Sequence, residues 1–96
     1  MNSNATIECL RAHKATLAER FGVTDLALFG SAARDETGPD SDVDILVSFD
    51  GPATSRRYFG VLFYLEDLLG RQVDLVTDKA LRPELRPHIE QEAMRV

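Results

Sequence analysis

Two aspartates stand two residues apart in a segment that is otherwise apolar: Asp42 and Asp44 in DVDILVSF, residues 42–49. A strand this oily belongs in a core, and a carboxylate taken from water into a core is costly unless a positive charge meets it. Side chains on a strand alternate, so Asp42 and Asp44 share one face, about 6.6–7 Å apart along it. Val43, Ile45 and Val47 take the other face and can pack beneath helices. A third acid, Asp74, interrupts QVDLVT at 72–77 in the same way. If the two strands are neighbours, the three carboxylates converge. Three such groups at close quarters do not all stay ionised without a counter-charge.

The rest of the chain supplies the frame. Ile7, Leu10, Leu17 and Phe21 recur at helical spacing over 5–21, and Gly22 stops the helix. VTDLALF (23–29) reads as a strand ending at Gly30, residues 31–34 as one helical turn, and DETGPDS (35–41) as loop. SRRYFGVLFYLEDLL (55–69) is a helix apolar over more than one face, closed by Gly70. Either it is central to the core or its surplus apolar side chains dock a partner. A last helix is expected over about 84–94, with Pro87 as an alternative start. The order α-β-turn-β-α-β-α predicts an α/β (α+β) fold, a small mixed sheet with helices packed on it. At 96 residues a single domain, 1–96, is expected.

What positive object could sit on the acids? Oxygen ligands with no accompanying His or Cys pattern select Mg2+ or Mn2+ over zinc. Magnesium completes its shell with water and substrate phosphates, which points to a nucleoside triphosphate as the ligand. Gly30-Ser31 fits beside it, since glycine lets the backbone approach closely and the Ser31 hydroxyl with neighbouring N–H groups can hold anionic oxygens. Each feature alone has a plainer reading. Asp40 is turn chemistry, Arg34 would ordinarily be a surface cation although here it could pair with a loop acid or reach a phosphate, and Asp74 could be an edge-strand charge that discourages aggregation. Their joint occurrence at strand ends carries the functional reading.

The formal net charge is −5 and the pI about 4.9, with the basic residues scattered, so direct nucleic-acid binding is disfavoured. The single Cys9 excludes an internal disulfide framework and fits a reducing compartment. No stretch approaches the roughly 20 apolar residues of a membrane span, and the N-terminus lacks the pattern of a secretory signal. The expected setting is cytoplasmic, with no membrane contact.

GSAARDETGPDSDVDILV, residues 30–47, resembles the G-S-x-x-R…S-D-x-D motif of polymerase-β-type nucleotidyltransferases. It is most similar to the minimal nucleotidyltransferases (MNT), the antitoxin partners of HEPN-domain toxins. The likeness runs over nearly the whole chain, from the first helix to the LRPELRPHIEQEA tail. It implies a polymerase-β-like fold in which Gly30 and Ser31, with Arg34, hold the triphosphate. It further implies that Asp42, Asp44 and Asp74 are the catalytic, metal-binding triad, and that Ser41 orients the acidic pair. The implied cofactor is Mg2+, two ions, with Mn2+ as a substitute, and ATP is the implied substrate. The implied activity is transfer of AMP to a hydroxyl, a tyrosine of a HEPN-type toxin, in a hetero-oligomer that silences the toxin. One departure is Asp35, where family members carry Gly after the motif Arg.

Two other functions compete with it. The chain could be an antitoxin that neutralises by binding alone, with a vestigial site. It could also be a transferase for a small-molecule hydroxyl, which would need an acceptor pocket built by dimerisation.

Overall fold

The computed structural model describes residues 2–34 and 42–96. The expected loop 35–41, with Asp35, Asp40 and Ser41, lies outside the described residues. Helix α1 (Ser3–Phe21) opens on Asn2, whose side chain accepts from the Ala5 N–H at 2.8 Å, and closes on Gly22 in the left-handed region. Strand β1 (Val23–Phe29) leads directly into one helical turn, α2 (Gly30–Ala33). Strand β2 (Val43–Phe49), helix α3 (Ser55–Leu69) and strand β3 (Val73–Thr77) follow. Thr54 caps α3, its Oγ1 accepting from the Arg57 N–H, and Gly70 ends it. A 3-10 turn (Asp78–Ala80) leads to helix α4 (Arg86–Glu92) and a two-residue strand β4 (Met94–Arg95).

The sheet among the described residues runs β3-β2-β1-β4. β1 is antiparallel to both β2 and β4, while β2 and β3 are parallel, so the sheet is mixed as expected. Val43, Ile45 and Val47 of β2, Leu26 and Leu28 of β1, and Val73 and Leu75 of β3 form one buried face. Ile7, Leu10 and Leu17 of α1 and Val61, Leu65 and Leu69 of α3 pack on it. Val23 is buried too, although it lies three residues from Leu26 and strict alternation would expose it. A register shift between Val23 and Asp25 resets the alternation by one residue.

Two expectations need correction. The second strand begins at Val43, whose N–H donates to the Gln72 carbonyl at 3.0 Å, so Asp42 stands just ahead of the strand. The final helix is shorter than 84–94. Pro87 sits in its first turn, and the chain leaves it at Ala93 so that Met94 and Arg95 can pair with Leu28 and Ala27. Sheet pairing and the packing of Met94 against the core override helix propensity there.

Helix α3 answers to both readings of its surplus apolar residues. Val61, Leu65 and Leu69 are core, Tyr58, Leu62, Tyr64 and Leu68 are half-buried against it, and Phe59 and Phe63 are exposed.

Candidate active site

Helices α1 and α3 cover one face of the sheet; the acids stand on the other. Asp44 is the second residue of β2, pointing away from the face of Val43 and Ile45. Asp74 occupies the matching position of β3, and the two are in register across the parallel pair. Parallel pairing in register places side chains on a common face about one strand spacing, roughly 4.8 Å, apart, so strand alignment alone brings these carboxylates together.

Their electrostatics follow. Burial raises the pKa of Asp44 above the ordinary 3.8, and the charge of Asp74, a hydrogen bond to Asp74 and the charge of Asp42 raise it further. The Arg34 guanidinium opposes this without cancelling it. Asp44 is half-buried, whereas Asp42 and Asp74 are exposed to solvent.

Gly30 closes the site from the side of β1. Phe29 pairs with Asp44 across the β1–β2 ladder, and the chain then turns sharply, with Gly30 at φ +66. A Cβ at Gly30 would collide with Asp44 Oδ2 and lie 3.1 Å from its Cγ. Glycine is thus required twice here, for the left-handed backbone and for the approach of the carboxylate. Ser31 follows in α2 and is half-buried beside this corner.

Arg34 ends α2. Its Nη1 donates to Glu92 Oε1 at 3.0 Å, tying the motif arginine to the last residue of α4. This acid comes from the tail of the chain, and sequence reasoning missed it; the loop acids weighed as partners of Arg34 lie outside the described residues. Its position depends on β4, and two residues of strand leave no periodic signal.

Asp44 and Asp74 are therefore neighbours across the parallel pair, Asp42 and Arg34 lie within electrostatic reach of Asp44, and Gly30 abuts it. Ser41 lies outside the described residues. Among the described residues no group of three His, Cys, Asp or Glu side chains stands as a formed metal cage. A divalent cation nonetheless suits the donor set. The available atoms are hard oxygens, and their mutual repulsion together with the burial of Asp44 is what a positive ion would relieve.

A groove of about 350 Å³ continues along the same face of the sheet, between α4 and the floor made by Ala27, Leu46 and Ser48. Arg86 borders it, held by Asp78 at 2.8 Å and by Glu90 at 3.4 Å. No helix among the described residues is long and apolar enough to cross a membrane.

Residues 10–96 match the family described as the nucleotidyltransferase domain. Protein adenylyltransferase MntA of Thermococcus cleftensis is 48% identical over 73 residues, 76% of this chain and 74% of that protein. A solved structure provisionally described as a minimal nucleotidyltransferase superposes with a TM-score of 0.78 at 35% identity, over 100% of this chain and 97% of that one. A chain of the solved complex of a tri-AMPylated Shewanella oneidensis HEPN toxin with MNT antitoxin has a TM-score of 0.61 at 21% identity, over 98% of this chain and 67% of that one. That last likeness is one of fold.

Proposed function

Since the chain belongs to the nucleotidyltransferase domain family and is a nucleotidyltransferase, we propose that it moves AMP from ATP onto a hydroxyl of a protein partner. The partner in this reading is a HEPN-type toxin, the acceptor a tyrosine, and the outcome that of an antitoxin. The observation that carries it is the in-register pair Asp44–Asp74 beside the glycine corner at Gly30. The name of the Thermococcus cleftensis relative supports a protein acceptor, and the Shewanella oneidensis complex supports the class of partner.

In this reading Asp42, Asp44 and Asp74 hold Mg2+. Divalent ions bound there would neutralise the carboxylates, polarise the α-phosphate and stabilise the departing pyrophosphate. The chain's own groups do the rest. Gly30 lets the triphosphate approach the backbone, the Ser31 hydroxyl donates to its oxygens, and Arg34 supplies positive charge at the far side of α2. The acceptor oxygen bonds to the α-phosphorus as the bond to the bridging oxygen of pyrophosphate breaks, and the hydroxyl proton leaves toward a carboxylate. Asp74 suits that proton, being exposed on an edge strand where a protein-borne hydroxyl can reach it. Positioning and electrostatic stabilisation supply the acceleration, as in other phosphoryl transfers.

The test is to incubate the protein with ATP, Mg2+ and a HEPN-type toxin, and to weigh that toxin intact. The mass of one or more AMP groups should appear on it, and peptide mapping should place them on tyrosine. Asp42→Ala combined with Asp44→Ala should abolish the addition and the protection from toxicity together. Protection that survives this double substitution would favour neutralisation by binding alone.

A further inference from the structure

The face of α3 turned away from the sheet has no part in the transfer chemistry, yet it carries two large apolar side chains in the open. Phe59 is 48% and Phe63 62% exposed. Their rings stack on one another with centroids 6.0 Å apart and an interplanar angle of 26°. Arg56 lies one turn before them and Asp67 one turn after, both exposed, and neither forms an ion pair among the described residues. The steps of three, four and four residues keep all four side chains on one line along the helix, about 16 Å from end to end.

We propose that this stripe, Arg56–Phe59–Phe63–Asp67, is a homodimer interface, pairing antiparallel with the same stripe of a second copy. The order of the residues is the reason. Read in reverse it becomes acid, ring, ring, base, so an antiparallel copy sets each Arg56 against an Asp67 and each phenylalanine pair against the other. The midpoint of Phe59–Phe63 is Val61 and that of Arg56–Asp67 lies half a residue further on, between Val61 and Leu62, so one two-fold axis serves both pairings. A parallel copy would place arginine on arginine. The stripe is complementary to itself in charge and in shape, which identifies the occupant as a second copy. Because α3 packs on the face of Val43, Ile45 and Val47, the dimer leaves the Asp44–Asp74 face of each copy open. Two half-exposed phenylalanines per copy are a small patch against the roughly 1,600 Å² of a standard interface, so the association is weak and depends on concentration.

Sedimentation velocity from micromolar to millimolar protein tests it. The mean mass should climb from the 10.7 kDa monomer toward twice that value. Phe63→Ser should hold it at the monomer, with circular dichroism confirming an intact fold. Arg56→Asp alone and Asp67→Arg alone should each weaken dimerisation about tenfold or more, since each sets like charges face to face at two symmetric places. Combining the two substitutions should restore it. A wild-type chain that stays monomeric at millimolar concentration would overturn the proposal. So would a dimer indifferent to Phe63→Ser, or a double charge swap no better than either single change. A monomer whose Phe63→Ser variant loses a helical protein partner would assign the stripe to that partner and overturn the second-copy assignment. None of these readouts involves nucleotide, so their failure leaves the transferase reading untouched.

Discussion

Asp44 on β2 and Asp74 on β3 stand at the same level of a parallel strand pair, on the face of the sheet opposite the core. That relationship sets like charges side by side where a cation would relieve them. Burial and two neighbouring acids hold a proton on Asp44 beyond the range in which aspartate ordinarily loses it. Such unrelieved charge is characteristic of sites arranged for something positive to enter.

Asp44→Asn should therefore stabilise the metal-free protein while abolishing transfer. The folded pKa of Asp44 lies above the unfolded value of 3.8, so its contribution to stability is complete below that value and lost as pH rises through the folded pKa. Asparagine suffers no such loss. Urea melts of the two proteins should converge at acid pH and separate toward neutrality, with the variant ahead by about 1 kcal/mol or less, since a partly exposed carboxylate is screened by water.

Gly30→Ala should cost about 1–3 kcal/mol in stability, the range for a residue forced into a disfavoured backbone region. It should also displace Asp44, whose Oδ2 occupies the space of the new methyl group. Thermal melts and transfer assays should both fall. Wild-type activity in a folded Gly30→Ala protein would contradict the close approach.

Tyr58 is a structural anchor. Its hydroxyl donates to the Leu75 carbonyl at 2.6 Å, tying α3 to β3 one residue beyond Asp74. Tyr58→Phe should lower stability by about 1 kcal/mol, as for a single lost hydrogen bond. Peptide mapping after incubation with ATP should find no AMP on this residue.

The Arg34–Glu92 pair links the motif arginine to the tail of the chain, and both side chains are about half exposed, 45% and 43%. Arg34→Ala should raise the KM for ATP about tenfold, consistent with a charge-assisted contact to phosphate. Glu92→Gln should change stability by less than about 1 kcal/mol, as for other exposed pairs. Denaturant titration and steady-state kinetics measure the two effects.

The periodic parts of this molecule were legible in its sequence, and the contingent parts were not. Alternation in VDILVSF and VDLVT marks β2 and β3, and the interrupting acids mark the site, because a carboxylate in an apolar strand breaks a pattern. Glycine stops show where helices α1 and α3 end, while α1 begins at Ser3, two residues ahead of the expected start at residue 5. The tail was read less well. Strand β4 is two residues long and owes its existence to pairing with β1, a tertiary contact without local period. Glu92 meets Arg34 across 58 positions of chain, and nothing near either residue announces the other. Asp42 and Asp44 were expected within one strand, but pairing with β3 starts the strand one residue late.

The most direct test is calorimetric titration of the protein with Mg2+ and a non-hydrolysable ATP analogue, at mildly acid pH, in two buffers of different ionisation enthalpy. Wild-type protein should bind the analogue only when Mg2+ is present and should release protons as it does so, because burial and the neighbouring acids raise the pKa of Asp44 and a bound cation would lower it. Asp44→Asn should lose both the binding and the proton release. Nucleotide uptake that needs no cation, or that is equal in the two proteins, would contradict the assignment of this carboxylate pair as the centre of the reaction.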